Sequence, residues 1–131
     1  MRNLNRAGLA ILVVLSLPTH AALAQKQDLM SGAFVSGSTL YKSCAGSMAG
    51  DREYCLAYVL GVSDAMELAI ASGTPIGGWD ACIPTGPAGA TAAQVRDVVK
   101  NYLAAHPERR PSSAASQTII ALAEAFPCKQ P

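Results

Sequence analysis

Apolar residues recur at helical spacing in four segments of the chain, and no stretch longer than four residues alternates between apolar and polar positions. Because a period of about 3.6 residues places apolar side chains on one face of a helix, this pattern predicts four helices. They span about residues 38–49, 51–72, 91–106 and 112–126, with Pro- and Gly-containing breaks between them. The sequence therefore predicts an all-α fold, a small bundle of about four helices in one domain.

The segment 51–72 has the strongest helical pattern. Its apolar residues cover most of the circumference, so we place this helix at the centre of the domain. Asp51 is expected to cap its start, and Gly73 stands where glycine commonly ends a helix. Asp64 and Glu67 share a face, as an acid–base pair could. We instead expect Asp64 to accept a hydrogen bond and Glu67 to be solvated.

The next helix has clear start and stop signals. Thr91 and Gln94 have the spacing of a capping box, and His106 precedes a proline, which disfavours helical backbone. His106 would act as a base only with a nucleophile and an orienting acid, and the sequence offers neither. We therefore interpret His106 as a helix end, where an imidazolium meets the helix dipole favourably, and do not expect an enzyme.

Residues 73–90 are rich in Gly and Pro and predict a long loop. A loop of this length in a small domain is either functional or held by a crosslink. It contains Trp79, the only Trp of the chain, which fits a binding hot spot and equally a core plug beside a disulfide. We predict that the loop binds a partner. The predicted contact residues are Pro75, Gly77, Gly78, Trp79 and Asp80.

Residues 1–24 have the layout of a secretory signal peptide. Arg2 and Arg6 precede an apolar run too short to span a bilayer, and an A-x-A cleavage site ends at Ala24. The alternative is an N-terminal membrane anchor, which this cleavage site disfavours. Cleavage after Ala24 leaves a domain of residues 25–131, which we expect to be exported to the periplasm.

Charge and hydropathy exclude two classes of partner for this domain. Removal of two signal-peptide arginines leaves eight Lys and Arg against nine Asp and Glu, a net charge of −1. With no basic run longer than two residues, nucleic acid is not an expected partner. No second apolar stretch approaches 18 residues, so we expect no membrane span after cleavage.

All four cysteines lie in the exported part, and an even count in a small exported protein indicates two disulfides. Of the three possible pairings we favour Cys44–Cys55, which joins the first two helices, and Cys82–Cys128, which ties the long loop to the chain's end. Loop-closure entropy makes them worth roughly 3 and roughly 4 kcal/mol. The spacings do not resemble those of zinc ligands, and there is no C-x-x-C, so we expect no metal and no cofactor.

Five short groups of residues follow one another in a fixed order between positions 34 and 128. They are Phe34, Gly37, Leu40 and Cys44; Cys55, Tyr58, Gly61 and Asp64; Cys82 and Pro84; Thr91, Gln94, Val98, Tyr102, Leu103, His106, Pro107 and Glu108; and Phe126, Pro127 and Cys128. In this order and spacing, the set resembles the Rap/Tai family of immunity proteins, which neutralise amidase effectors of type VI secretion.

The resemblance implies an all-helical, periplasmic and commonly dimeric protein that acts by binding. It implies that the chain sterically blocks the catalytic cleft of a peptidoglycan amidase with a Cys-His active site. Residues 85–90 depart from this expectation, because their Gly- and Ala-rich sequence offers few side chains to a partner.

Two alternative functions remain open. One is a small disulfide-bonded periplasmic chaperone or stress protein similar to the acid-stress chaperones, although a single histidine in the exported part provides a weak pH trigger. The other is a carrier of a small ligand in the bundle core, which a cavity there would favour.

Overall fold

A computed structural model describes residues 33–128, which form a bundle of four helices. The helices are α1 (Gly37–Ala45), α2 (Ala49–Ala71), α3 (Ala92–Ala105) and α4 (Ala114–Ala125), and a short 3-10 turn, Pro107–Arg109, connects the last two. Each helix contacts the other three, so the predicted all-α bundle is confirmed. The predicted signal peptide and its cleavage site lie outside the described residues.

Three of the helices have a side-chain cap at their N-terminus. The Thr91 hydroxyl accepts from the Gln94 N–H, while the Thr91 N–H donates to the Gln94 side chain at 2.8 Å, so the predicted capping box is present. Ser36 and Ser113 cap α1 and α4 in the same way with one hydrogen bond each. Such caps satisfy N–H groups that lack a partner within the helix. Local sequence therefore sets where these helices start.

The expected cap of α2 is wrong. The helix begins at Ala49, because the N–H of Arg52 already donates to the carbonyl of Met48 at 3.3 Å. Met48 occupies the N-cap and makes no side-chain capping bond. Asp51 instead lies inside the first turn, where the positive end of the helix dipole favours its carboxylate.

The core of the bundle is built around α4 and not around α2, which corrects the placement of the longest helix. Seven of the twelve residues of α4 are buried, against three of the 23 residues of α2. The three are Cys55, Val59 and Met66, which form one narrow stripe. Apolar composition shows which side chains favour burial, but only packing shows which are covered. The rest of α2 is half-buried or exposed.

Both predicted disulfides are present, with Cα–Cα distances of 5.0 Å for Cys44–Cys55 and 4.9 Å for Cys82–Cys128. The first is buried and joins the end of α1 to the second turn of α2. The second joins the long loop to the segment that follows α4. Beside it, the Cys82 N–H donates to the carbonyl of Phe126 at 2.8 Å.

Arg110 holds the opposite end of the bundle together. Its guanidinium donates to the carbonyls of Leu103 and Ala104, at 2.6 and 3.1 Å, and so caps α3. The same guanidinium lies 3.7 Å from the ring centre of Tyr41, a cation–π contact with α1. A Cβ at Gly37 would lie 3.0 Å from the Arg110 carbonyl oxygen, so glycine permits this close approach.

Candidate functional site

The loop between α2 and α3 folds into a tight turn at its tip. Gly77 and Gly78 have φ values of +63° and +77°, and the N–H of Trp79 donates to the carbonyl of Ile76 at 3.1 Å. A two-residue turn with positive φ at both central positions strongly favours glycine. The two glycines therefore fix the turn that presents Ile76 and Trp79.

The backbone on both sides fixes the position of this tip. On one side, α2 ends with the N–H groups of Gly73 and Thr74 donating to carbonyls of the last helical turn, and Gly73 has a φ of +69°. This is a Schellman motif, and it confirms the predicted role of Gly73. On the other side, Ala81 is buried and Cys82 carries the disulfide.

The tip faces solvent. Trp79 is 43% exposed and Ile76 is 39% exposed, so the alternative of Trp79 as a core plug does not hold. All five residues of the predicted contact surface, listed above, are exposed. They lie together in one short segment, and whether they bind a partner stays a prediction.

A groove opens beside this loop, and sequence reasoning did not foresee it. It lies between the second half of α2, residues 81–90 and the start of α3, with a volume of about 450 Å³. It is open at the surface, whereas the alternative of a small-ligand carrier would be favoured by a cavity in the bundle core. Its apolar lining consists mainly of Leu60, Met66, Ile70, Ala81, Ile83 and Val95.

The mouth of the groove is acidic. Asp64 and Glu67 line it, and both are exposed. Asp64 makes no hydrogen bond to another described residue, so the expected bond is absent. Residues 53–95 contain four carboxylates and no Lys or Arg. That gap in basic residues is the sequence signal that would have pointed to this surface.

His106 and Glu108 form an exposed pair at the C-terminal end of α3. His106 follows α3, and its Nδ1 lies 3.2 Å from the carboxylate of Glu108. The pKa of Glu108 is lowered, first by a hydrogen bond from its own backbone N–H and then by His106. Among residues 33–128, no cluster of His, Cys, Asp and Glu could hold a metal ion.

A third feature is an exposed apolar stripe along α2. Its members recur at steps of three and four residues and are all exposed: Tyr54, Ala57, Gly61, Ala65 and Leu68. The helix is long and apolar enough to cross a membrane by length and composition, with a mean hydropathy of 1.4 over 18 residues. The expectation that no stretch after the signal peptide is long and apolar enough to cross a membrane is therefore wrong by this measure. Only Tyr54 and Leu68 of this stripe are large exposed apolar side chains, and Ala57, Gly61 and Ala65 between them leave a shallow surface.

The family is shown by comparison with known proteins. The family profile of the Rap1a immunity proteins matches residues 36–128, more than half of the chain. The chain belongs to the Rap1a immunity protein family. The match spans all four helices, both disulfides and the loop of this Rap1a-family protein. Neither the curated proteins nor the solved structures contain a match to it.

Proposed function

We propose that this protein binds a toxic effector of type VI secretion in the periplasm and blocks it. The effector that the sequence motifs favour is a peptidoglycan amidase. Membership of the Rap1a family supports an immunity role, and two disulfides suit an oxidising compartment. In this proposal the signal peptide ends at Ala24, and the protein acts by binding alone.

The observation that carries the proposal is the exposed, backbone-fixed tip of the α2–α3 loop. In this proposal the tip enters the catalytic cleft as a rigid protrusion and excludes substrate. The Schellman motif at Gly73 and the anchor at Cys82 hold the tip in place before any partner arrives. A preorganised loop loses little conformational entropy on binding, which favours affinity. Trp79 then supplies the large apolar contact that hot spots commonly use.

The experiment uses a purified peptidoglycan amidase effector of type VI secretion. The full chain is expressed, purified from the periplasm, and titrated into a peptidoglycan hydrolysis assay. Trp79→Ala should weaken inhibition by about 2 kcal/mol or more, roughly thirtyfold. Met48→Ala is the matched control, because Met48 is also exposed but lies outside the loop. Equal inhibition by both variants would place the binding surface elsewhere.

We further propose that a second copy of this chain covers the stripe on α2. The positions are symmetric about Gly61: Tyr54 and Leu68 lie seven residues to either side, and Ala57 and Ala65 lie four. In an antiparallel helix pair that crosses at Gly61, Tyr54 of one copy lies opposite Leu68 of the other. The stripe extends about 21 Å along the helix.

Gly61 supports this arrangement. A glycine inside a helix costs roughly 0.5–1 kcal/mol relative to alanine, and within the monomer nothing lies within 4 Å of a Cβ at Gly61. The absence of a side chain at Gly61 would allow a partner helix to approach closely, which would account for a glycine at this position. Two-fold self-association through one surface patch is the commonest form of oligomer.

Sedimentation equilibrium tests this part of the proposal. The protein should sediment as a dimer, Gly61→Arg should be monomeric, and Ala105→Arg, at an exposed position of α3, should remain dimeric. A monomeric wild type, or one that floats with lipid vesicles, would exclude a second copy as the cover of the stripe.

A further inference from the structure

We infer that the groove beside the loop is a second docking site for the effector, and that it takes an apolar side chain followed by a Lys or Arg. The identity of the partner rests on the proposed function. The chemistry of the docked segment rests on the groove alone.

The floor of the groove selects for an apolar group. Met66, Ala81 and Val95 are buried at its base, and Ile70 and Ile83 are half-buried on its sides. Its volume of about 450 Å³ falls in the range of sites that enclose small ligands, roughly 300–1,000 Å³. Apolar surface left open in this way gains free energy when a partner side chain covers it.

The rim selects for a positive charge. Asp64 and Glu67 are exposed at the mouth, neither forms an ion pair with a described residue, and no described lining residue is Lys or Arg. A basic group entering here meets two carboxylates three residues apart on one helix, whereas an acidic group is repelled. A neutral apolar ligand would make the apolar contacts of the floor but would gain no attraction from the two carboxylates.

The wall of the groove formed by residues 82–90 is held in a fixed conformation without a partner. Cys82 is tied to Cys128, and the N–H of Ala90 donates to the carbonyl of Pro84 at 2.8 Å. Gly89 passes so close to this backbone that a Cβ there would overlap the Pro84 carbonyl. The segment 82–90 is thus a closed loop with a fixed shape, which lowers the entropic cost of docking.

The groove also continues the surface of the tip. Trp79 and Asp80 end the exposed turn, and Ala81 and Cys82 are the next two residues and line the groove. A protein segment held at Trp79 therefore reaches the groove within a few residues. This continuity favours a segment of the same protein partner over an unrelated small molecule.

The test needs no effector. Backbone-amide NMR spectra of the oxidised protein, purified from the periplasm, are recorded during titration with acetyl-Ser-Phe-Arg-Ser amide. The matched peptides carry Glu or Gln in place of Arg. We expect the Arg peptide to shift the amides of Ile83, Ala90 and Val95, and to bind roughly fivefold more tightly than the Gln peptide at low salt. The Glu peptide should bind most weakly.

Two pairs of variants place the site. Ala92→Phe fills the mouth and should abolish the shifts, while Ala93→Phe, also exposed in the first turn of α3 but outside the lining, should leave them. Asp64→Asn with Glu67→Gln should remove the preference for Arg over Gln. Glu124→Gln, an exposed carboxylate on α4, should keep it. Helical circular dichroism shows that each variant is folded.

Equal affinity for all three peptides, shifts outside the groove, or tighter binding of a free neutral ligand such as cyclohexanol would each overturn the inference. The peptide-binding results do not depend on whether the protein inhibits an effector. If peptides dock as described but no effector is blocked, the proposed function fails and the groove chemistry stands. If Trp79→Ala abolishes inhibition while Ala92→Phe inhibits normally, the groove is not a docking site for the effector.

Discussion

Removal of the Cys82–Cys128 disulfide should release the loop between α2 and α3, whereas removal of Cys44–Cys55 should not. The two crosslinks close segments with sequence separations of 46 and 11 residues. Loop-closure entropy then makes them worth about 4 and about 3 kcal/mol. A domain of this size has a total stability of about 5–15 kcal/mol, so either loss is large.

Side-chain packing makes the two losses of stability more nearly equal. Cys44 and Cys55 are buried at 6% and 0% exposure, and their truncation to alanine adds a cavity cost of roughly 1 kcal/mol. Cys82 is exposed and Cys128 half-buried, so their replacement adds little. Both double-alanine variants should therefore lose about 4 kcal/mol, and overall stability alone does not distinguish them.

Trp79 distinguishes them, because it is the only Trp and it lies three residues from Cys82. Urea unfolding is followed by Trp fluorescence and by far-ultraviolet circular dichroism. In wild type and in Cys44→Ala/Cys55→Ala the two signals should change together, as in a two-state transition. In Cys82→Ala/Cys128→Ala the fluorescence should change at a lower urea concentration. Coincident transitions in that variant would refute the claim that this disulfide fixes the loop.

Three further predictions concern single side chains. Burial, and secondarily Tyr54, raises the pKa of Tyr58, so its stabilising contribution is complete below the ordinary tyrosine pKa and is lost as pH rises through the raised one. Tyr54→Phe should lower that pKa without restoring the ordinary value, as ultraviolet titration will show. Gln117 has a buried Oε1 with no partner among the described residues, so Gln117→Met should keep or raise stability by about 1 kcal/mol, and a loss of stability in urea melts would contradict this. Gly89→Ala should cost about 1–3 kcal/mol because its Cβ would overlap backbone, whereas Gly50→Ala, at an open helical position, should gain roughly 0.5–1 kcal/mol in the same melts.

Local signals in the sequence predicted most of the fold. The capping box at Thr91, the helix end at Gly73 and both disulfide pairings depend on a few residues close in sequence or on the small number of possible cysteine pairs. The cap at Asp51 failed because a helix can start one turn earlier without a side-chain cap. Phe34 is fully exposed, although its residue type favours burial.

The surfaces were harder to predict than the helices. The position of Trp79 in the loop was readable from sequence, but its exposure depends on the turn at Gly77 and Gly78. The groove arises from three segments that are distant in sequence. The long helix α2 looked central because its composition is apolar all round, yet only three of its 23 residues are buried within the described chain. Composition does not reveal whether the cover of an apolar helix belongs to the same molecule.

The order of the disulfides has a consequence for how this protein is made. Each cysteine pairs with its neighbour along the chain, 44 with 55 and 82 with 128. A chain that crosses a membrane from its N-terminus exposes these thiols to an oxidant in that order. Joining each newly arrived thiol to the one that is still free then gives the native pairs directly, and no wrong pair needs to be reshuffled. In the proposed export, pairing in the order of emergence therefore gives the native disulfides by thiol oxidation without an isomerase. The loop between α2 and α3 gains its anchor only after Cys128 has emerged, so a chain stalled before that point of the proposed export has its first crosslink but lacks a fixed tip.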